Sequence, residues 1–427
     1  MEKVTFCINT ARNELNHIKL LLKSLESNLS SLEHEIIIFI DSDNQNTFEW
    51  LLTQKEVFPN LKILKNNLPI CYGYARNINE MFLQASNPIV SYLQSDMVVC
   101  KDYDLEVLKR VEPNTILCST RIEPPLHGNS GEKVTHDFGL DPTKFNLAAF
   151  TDYAESIKKE AYTEYFFAPF TLYKEVWNSI GGHDTLFRRS REDSDILTRL
   201  VLNDIKIKQT WSALVYHFTC TSSRGPNWFD QHNTEAQQRT QLQQKADLIE
   251  IGRFLGKWGS FSHSLDKPKY YNIEAYITGQ DLNLANFMTI KNHFHKVYVD
   301  DKNIIGLAQE WLNKEHDVAN TLLNIGSGDW NQYGYMYNSI VASNNIKSIE
   351  DYTKADILVK FGLDSIDASL YQDFISKIQD IVDSVEEPGD YEYGPFTITV
   401  NNKVDRASDK IVVRNPDIKP EHLYTIH

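Results

Sequence analysis

Three polar clusters, each following a short apolar run, constrain this 427-residue chain more than any other feature. Residues 3–9, 35–40 and 88–93 are strand-sized and rich in β-branched or aromatic side chains. They end in the polar stretches 10–13, 41–43 and 94–96. Between them, residues 15–28 carry apolar side chains at 15, 18, 21, 22 and 25, which is helical spacing. Residues 47–52 and 75–84 read as further helices and 61–64 as a short strand. Strands alternating with helices predict an α/β fold whose mostly parallel sheet is wound with right-handed crossovers. In such sheets ligands sit beyond the carboxyl ends of the strands, so the three clusters are expected to meet along one edge.

Further along, residues 123–153 are rich in Pro, Gly, His and Asp and read as an irregular excursion. A helix over 193–203 and a strand over 206–217 follow, then a polar loop at 222–226 and a Gln-rich helical stretch over 231–254. Ser, His, Asp and Pro cluster over 260–269, which predicts a domain boundary there: a catalytic-sized domain over 1–262 and a smaller α/β domain over 263–427. The second domain reads as strands at 271–277, 296–299, 320–325 and 357–361, helices at 283–294, 304–313 and 368–385, and a late hairpin over 396–413. Gly326-Ser327-Gly328-Asp329 follows a strand, but it lacks the Lys-Ser/Thr of a phosphate-binding loop and reads as a turn. The aromatic residues Tyr270, Tyr271, Trp311, Trp330, Tyr333, Tyr335 and Tyr337 suit a core or interface, or stacking on sugar rings.

Charge narrows the partners. Residues 1–264 carry 28 basic and 33 acidic side chains, and residues 265–427 carry 15 and 25, so most of the net charge of -15 lies in the C-terminal part. That part would be repelled by a phosphate backbone or an anionic membrane. No stretch approaches the roughly 20 apolar residues that a membrane helix needs, and no basic segment followed by an apolar one opens the chain. Cys7, Cys71, Cys100, Cys118 and Cys220 form no C-x-x-C pair, so neither a disulfide framework nor a zinc site is expected. A cytoplasmic protein with reduced thiols is the expectation.

The residues at the strand ends resemble a known pattern. Val4-Thr5-Phe6-Cys7-Ile8-Asn9-Thr10-Ala11-Arg12-Asn13-Glu14 is similar to the opening strand and loop of family 2 glycosyltransferases of the GT-A fold. The resemblance continues through Ile40-Asp41-Ser42-Asp43, Gly73 with Ala75-Arg76-Asn77, and Leu93-Gln94-Ser95-Asp96-Met97. It then takes in Ile180-Gly181-Gly182-His183-Asp184, Arg191-Glu192-Asp193-Ser194-Asp195 with Arg199, and Tyr216-His217, and it spans residues 1–225 in the family's order.

The resemblance implies a soluble enzyme that inverts the anomeric centre in a single displacement, moving a hexosyl or pentosyl group from a nucleotide-sugar such as a UDP-sugar. Thr10, Ala11 and Arg12 would line the base pocket, and Asp41 would accept hydrogen bonds from the base or ribose. A turn or capping aspartate is the plainer reading of Asp41. Arg76 would approach the base or diphosphate, or lie solvated on its helix. Ser95 and Asp96 occupy the segment that is usually D-x-D, with Gln94 at the first acidic position. Asp96 would hold Mn2+ or Mg2+ with His217, the imidazole favouring Mn2+. His217 reads equally as a hydrogen-bonded core histidine. Asp193 would be the general base, supported by Glu192 and the Gly182 turn, or these carboxylates merely favour a helix N-terminus. Asp195 suits an i, i+4 pair with Arg199.

A sugar nucleotidyltransferase would want a Gly- and Lys-bearing phosphate loop after the first strand, which Asn9-Thr10-Ala11-Arg12 is not. A catalytically inactive carbohydrate-binding or scaffolding protein is the alternative from another class. The acceptor stays open between a glycan, a lipid-linked sugar, a protein side chain and a modified nucleic-acid base.

Overall fold

The computed structural model describes residues 2–219 except 12, 13, 44, 69, 70, 128, 129 and 189, together with 250, 253, 254, 257, 258, 269–279, 283, 287, 290, 291, 293–308, 310, 346–349, 352, 354–363, 366–410, 413 and 423–426. Residues 231–249 of the Gln-rich stretch 231–254, the loop at 222–226, the strand expected at 320–325 and the turn at 326–329 lie outside the described residues, as do Arg12, Cys220, Trp311, Trp330, Tyr333, Tyr335 and Tyr337. The chain divides into two compact units, Met1–Lys245 with Val413–His427, and Ala246–Val412.

The first unit is mixed α/β with a largely parallel sheet. Its strands are β1 (Val4–Thr10), β2 (Glu35–Ile40), β3 (Leu61–Asn66), β4 (Ile89–Gln94), β5 (Met97–Val99), β6 (Thr115–Glu123), β7 (Lys133–Thr135), β8 (Tyr162–Thr163), β9 (Phe170–Tyr173) and β10 (Lys206–His217). The helices are α1 (Leu15–Asn28), α2 (Thr47–Thr53), α3 (Tyr74–Gln84), α4 (Tyr103–Leu108), α5 (Leu147–Ile157), α6 (Lys174–Ser179) and α7 (Glu192–Leu202). β1 pairs in parallel with β2 on one side and β4 on the other, and β2 with β3. β9 is inserted antiparallel between β4 and β6, so β6 and its parallel neighbour β10 run the same way as β4.

The continuous apolar runs have a direct cause. Ile36, Ile38 and Ile40 enter one core with Val4, Phe6, Ile8 and the apolar face of α1. Ile37 and Phe39, pointing to the other face, pack with Cys7, Ile78, Phe82 and Trp177. A strand covered on both faces has no solvent side to mark with polar residues. Each such side chain contributes roughly 1.5–3 kcal/mol relative to an exposed one.

One strand comes from far away in the sequence. β17 (Leu423–Ile426) pairs antiparallel with β3 and borders the first sheet. This pairing is what assigns the last residues to the first unit, and no local periodicity had indicated a strand there.

The second unit holds a separate sheet built from β11 (Ile273–Thr278), β12 (Val297–Val299), β13 (Ile346–Ser348), β14 (Ile357–Gly362), β15 (Gly389–Tyr393) and β16 (Phe396–Val400), in the order β13-β12-β11-β14-β16-β15. The first four are parallel. The hairpin is β15–β16, which begins before the expected 396–413, because Gly394 with φ 57° supplies the left-handed turn between the two strands. The helix Ala368–Ser384 is capped by Asp367, which accepts from Ser369 N at 2.6 Å, and it buries Tyr371, Phe374, Ile375, Ile378 and Val382. Phe374 stacks on Phe396 at 3.9 Å. Tyr270 and Tyr271 are buried.

Candidate functional site

The parallel registers set the polar strand ends level. Thr10 lies opposite Ile40 and Asn9 opposite Gln94, so the residues that follow β1, β2 and β4 emerge side by side. The Asp41 N–H donates to the Thr10 carbonyl at 2.9 Å. Glu123 at the end of β6 and His217 at the end of β10 reach the same edge, since those strands run parallel to β4.

Asp41 is buried and its carboxylate organises a loop. Oδ1 accepts from Tyr72 N at 2.6 Å and Asn66 Nδ2 at 3.0 Å, and Oδ2 from Gly73 N at 2.9 Å. A carboxylate has about four lone-pair sites, and these bonds occupy three of them. Gly73 has φ 88° and ψ 164°, and a Cβ there would stand 2.4 Å from the Arg188 carbonyl oxygen. That carbonyl accepts from Tyr74 N at 2.9 Å, and the Arg188 guanidinium reaches the Cys71 and Tyr72 carbonyls. The loop before α3 and the loop before α7 are thereby one structure. Arg76, in the first turn of α3, is buried with its guanidinium 4.8 Å from the Tyr72 ring centroid.

Asp96 and His217 come together. His217 Nε2 is 3.8 Å from Asp96 Oδ1, and the Phe218 N–H donates to the Asp96 carbonyl at 3.1 Å. The other imidazole nitrogen, Nδ1, is 2.8 Å from Glu123 Oε1. Glu123 also faces Lys133 at 2.9 Å and Arg121 at 3.5 Å. Burial alone would raise the Glu123 pKa, but His217, Arg121 and Lys133 together hold it well below the usual carboxylate range. Among the described residues no group of three or more His, Cys, Asp or Glu side chains is arranged to hold a metal ion. A carboxylate and an imidazole this close are of the chemical types that could hold a divalent cation, with phosphate oxygens and water completing its shell.

Glu14 is a member of the site that its sequence position did not single out. It is buried, accepts from Ala11 N at 2.9 Å and from the Ser95 hydroxyl at 2.6 Å, and so joins the loop after β1 to the residue beside Asp96. Burial raises its pKa to about 7, with the Asp96 charge adding to the rise and the Ser95, Ala11 and Thr10 hydrogen bonds opposing it. Thr10 and Ser95 are themselves buried, and Ala11 is half-buried.

The Gly181-Gly182 turn leads into α7. Both glycines have positive φ, and a Cβ on Gly182 would meet Asn79 Oδ1 at 2.6 Å. Asn79 clamps the next peptide, donating to the His183 carbonyl and accepting from its N–H, both at 2.8 Å. Burial lowers the His183 pKa to about 3, with Arg199 adding to the effect, so its ring is neutral. Asp195 and Arg199 form the anticipated pair, 2.9 Å apart and fully buried, and Arg199 also donates to the Ile180 carbonyl at 2.8 Å. Glu192 and Asp193 open the helix. Asp193 is exposed, and its Oδ1 accepts from Ser194 N at 2.6 Å. Burial raises the Tyr92 pKa, and the charges of Glu192, Asp96 and Glu14 add to the rise; Tyr165 responds likewise, first to burial and then to Glu132, Asp193 and Glu123.

No protein-family model matches this chain, and no curated protein matches it in sequence. Among solved structures it is similar to GalNAc-T7, crystallised with UDP, GalNAc and Mn2+, with TM-score 0.39 and 12% identity over 51% of this chain and 44% of that one. It is also similar to TarS of S. aureus, with TM-score 0.38 and 15% identity over 61% and 44% of the two chains. A third is the mannosyltransferase PcManGT of Pyrobaculum calidifontis in complex with GDP-Man and Mn2+, with TM-score 0.38 and 14% identity over 59% and 63%. The match spans less than half the length of the first two.

Proposed function

We propose that this protein is an inverting glycosyltransferase of family 2 and GT-A type, moving a hexosyl or pentosyl group from a UDP-sugar to an acceptor hydroxyl. The observation that carries this reading is the approach of His217 Nε2 to Asp96 Oδ1, 3.8 Å, on the sheet edge that also presents Thr10 and Asp41. A metal-diphosphate pair needs such donors beside a nucleoside pocket.

In this reading Thr10, Ala11 and Arg12 border the base, and the remaining lone pair of Asp41 accepts from the base or ribose. Arg76 lies toward the diphosphate. Asp96 and His217 would hold a divalent cation, Mn2+ in preference to Mg2+, which would supply positive charge to the departing diphosphate. Glu14 accepts from the hydroxyl of Ser95, the residue before Asp96. Asp193 takes the proton of the acceptor hydroxyl as that oxygen bonds to the anomeric carbon, while the bond to the diphosphate oxygen breaks and its electron pair leaves with UDP. Oδ1 of Asp193 is tied to Ser194 N, so Oδ2 receives the proton. Glu192 and the Gly182 turn shape the acceptor side. One base and one stabilised leaving group suffice for a single in-line displacement.

No helix among the described residues is long and apolar enough to cross a membrane. Among the described residues, Cys7, Cys71, Cys100 and Cys118 are free thiols.

The test is calorimetric titration of UDP and of GDP, each with Mn2+ and with EDTA, into wild type and Asp96→Ala. UDP binding that requires Mn2+ and is lost in the variant is expected. Binding of neither nucleotide under any condition would overturn the donor assignment and favour a non-enzymatic, carbohydrate-binding role.

A further inference from the structure

We infer that Glu123 is a positioning residue that fixes the imidazole of His217 for metal ligation. The inference rests on the metal site proposed above, and adds to it a residue from a strand that carries none of the family-like motifs.

The geometry is a line of three side chains. Glu123 Oε1 is 2.8 Å from His217 Nδ1, and His217 Nε2 is 3.8 Å from Asp96 Oδ1. A neutral imidazole carries one N–H and one lone pair. A carboxylate is acceptor-only, so Nδ1 bears the hydrogen that goes to Glu123, and in the neutral ring that metal ligation requires the lone pair then falls on Nε2, on the side of Asp96. The Thr219 hydroxyl is also near Nδ1, but at 3.5 Å, and it donates to the His217 carbonyl at 3.3 Å. The shorter, charged contact decides the tautomer. Without Glu123, Nε2–H could instead donate to Asp96, which would spend both groups on each other.

Glu123 is itself held in place. It ends β6 opposite the end of β10, and its second oxygen is engaged by Lys133 on β7, with Arg121 beside it. Arg121 in turn donates through Nε to the Ala168 carbonyl and lies 4.3 Å from the Phe167 ring centroid. The carboxylate therefore has a fixed direction, and so does the ring it orients. Outer-sphere carboxylates that orient a ligating histidine typically matter to roughly 10–100-fold in metal affinity. A purely structural role would instead make Glu123 the bridge between β7 and β10, and would depend equally on Lys133.

The experiment counts free Mn2+ by its six-line EPR signal during titration into the full-length protein with saturating UDP. Wild type, Glu123→Ala, Glu123→Gln, His217→Ala, the Glu123→Ala/His217→Ala double variant and Lys133→Met are compared, with thermal unfolding as a check of folding. Glu123→Ala is expected to weaken Mn2+ roughly 10–100-fold, and Glu123→Gln, which can still accept from Nδ1–H, to weaken it less. The double variant should bind no more weakly than His217→Ala, because the two act through one ring. Lys133→Met should weaken Mn2+ less than Glu123→Ala does, because Arg121 still faces the carboxylate and Oε1 still accepts from Nδ1. Wild-type affinity in Glu123→Ala, full additivity in the double variant, or an equal loss in Lys133→Met would overturn the inference. If Glu123→Ala does not fold, the Glu123→Gln and Lys133→Met comparison decides. Failure of wild type itself to bind Mn2+ with UDP overturns the metal site on which the inference rests, and is distinguished from the other outcomes by appearing before any substitution.

Discussion

The Asp41 carboxylate and the Gly73 N–H are joined by a 2.9 Å hydrogen bond across 32 residues of sequence. Together with the bond from Tyr72 N, it turns a strand-end aspartate into the anchor of the loop that precedes α3. Asp41→Asn replaces one acceptor oxygen with an amide donor that must face a backbone N–H. An unsatisfied buried group costs about 1–3 kcal/mol. A drop of that size in the urea unfolding free energy is expected, together with weaker UDP binding by calorimetry. Unchanged stability would mean the loop is held without the carboxylate.

Gly73→Ala tests the other partner. Its φ and ψ lie in a region essentially confined to glycine, at a cost of about 1–3 kcal/mol for other residues. The added methyl would also collide with the Arg188 carbonyl, 2.4 Å away, and that carbonyl is main chain and cannot swing aside. A clear fall in the thermal midpoint is expected, with loss of nucleotide affinity as the loops before α3 and α7 separate. A variant as stable as wild type would contradict the close approach.

Glu14 links stability to pH. Its carboxyl has an ordinary pKa of 4.5 when free and about 7 when folded, chiefly because it is buried. The folded state therefore holds the proton more tightly, and this contribution is fully present below about pH 4.5 and lost as pH rises through 7. At 1.36 kcal/mol per unit, it amounts to roughly 3 kcal/mol. Glu14→Gln, neutral at every pH, should flatten the fall in unfolding free energy between pH 4.5 and 7 measured in urea. An unaltered slope would show that Glu14 is not the group responsible.

Asp195 and Arg199 make a separate test of the α7 region. Removing one member of a fully buried pair leaves an uncompensated charge, typically at a cost of about 3–5 kcal/mol. Asp195→Ala should lose that much by denaturant unfolding. The double change Asp195→Leu/Arg199→Met should lose less. An Asp195→Ala loss below about 1 kcal/mol would contradict the burial of the pair.

Much of the fold was legible because its elements announce themselves locally. The run 35–40 reads as a strand because it is apolar throughout, and it is apolar throughout because both faces are covered. The helix Ala368–Ser384 is marked by an apolar face at 371, 374, 375, 378 and 382 and by Asp367 at its N-cap. The pair Asp195–Arg199 follows from spacing alone, one helical turn apart. Other features had no local signature. β17 is four residues long and gains its strand identity only from the free edge of β3. The hairpin β15–β16 begins earlier than expected; β15 does alternate, with Asp390 and Glu392 exposed and Tyr391 and Tyr393 half-buried, but neither of its faces is fully buried.

What the sequence by itself determined was the set of elements and the chemical types at their ends: acids, a histidine and glycines after apolar runs, in an order that points to one edge of a parallel sheet. Only the tertiary structure decided which of those groups touch. Glu123 and His217 are 94 residues apart, and Glu14 and Ser95 are 81 apart. Periodicity reports on neighbours within a turn or a strand, whereas contacts at such separations are created by strand order and register. The antiparallel insertion of β9 between β4 and β6, which no local pattern encodes, is what carries β6 and β10 to the same edge as β4 and sets Glu123 behind His217.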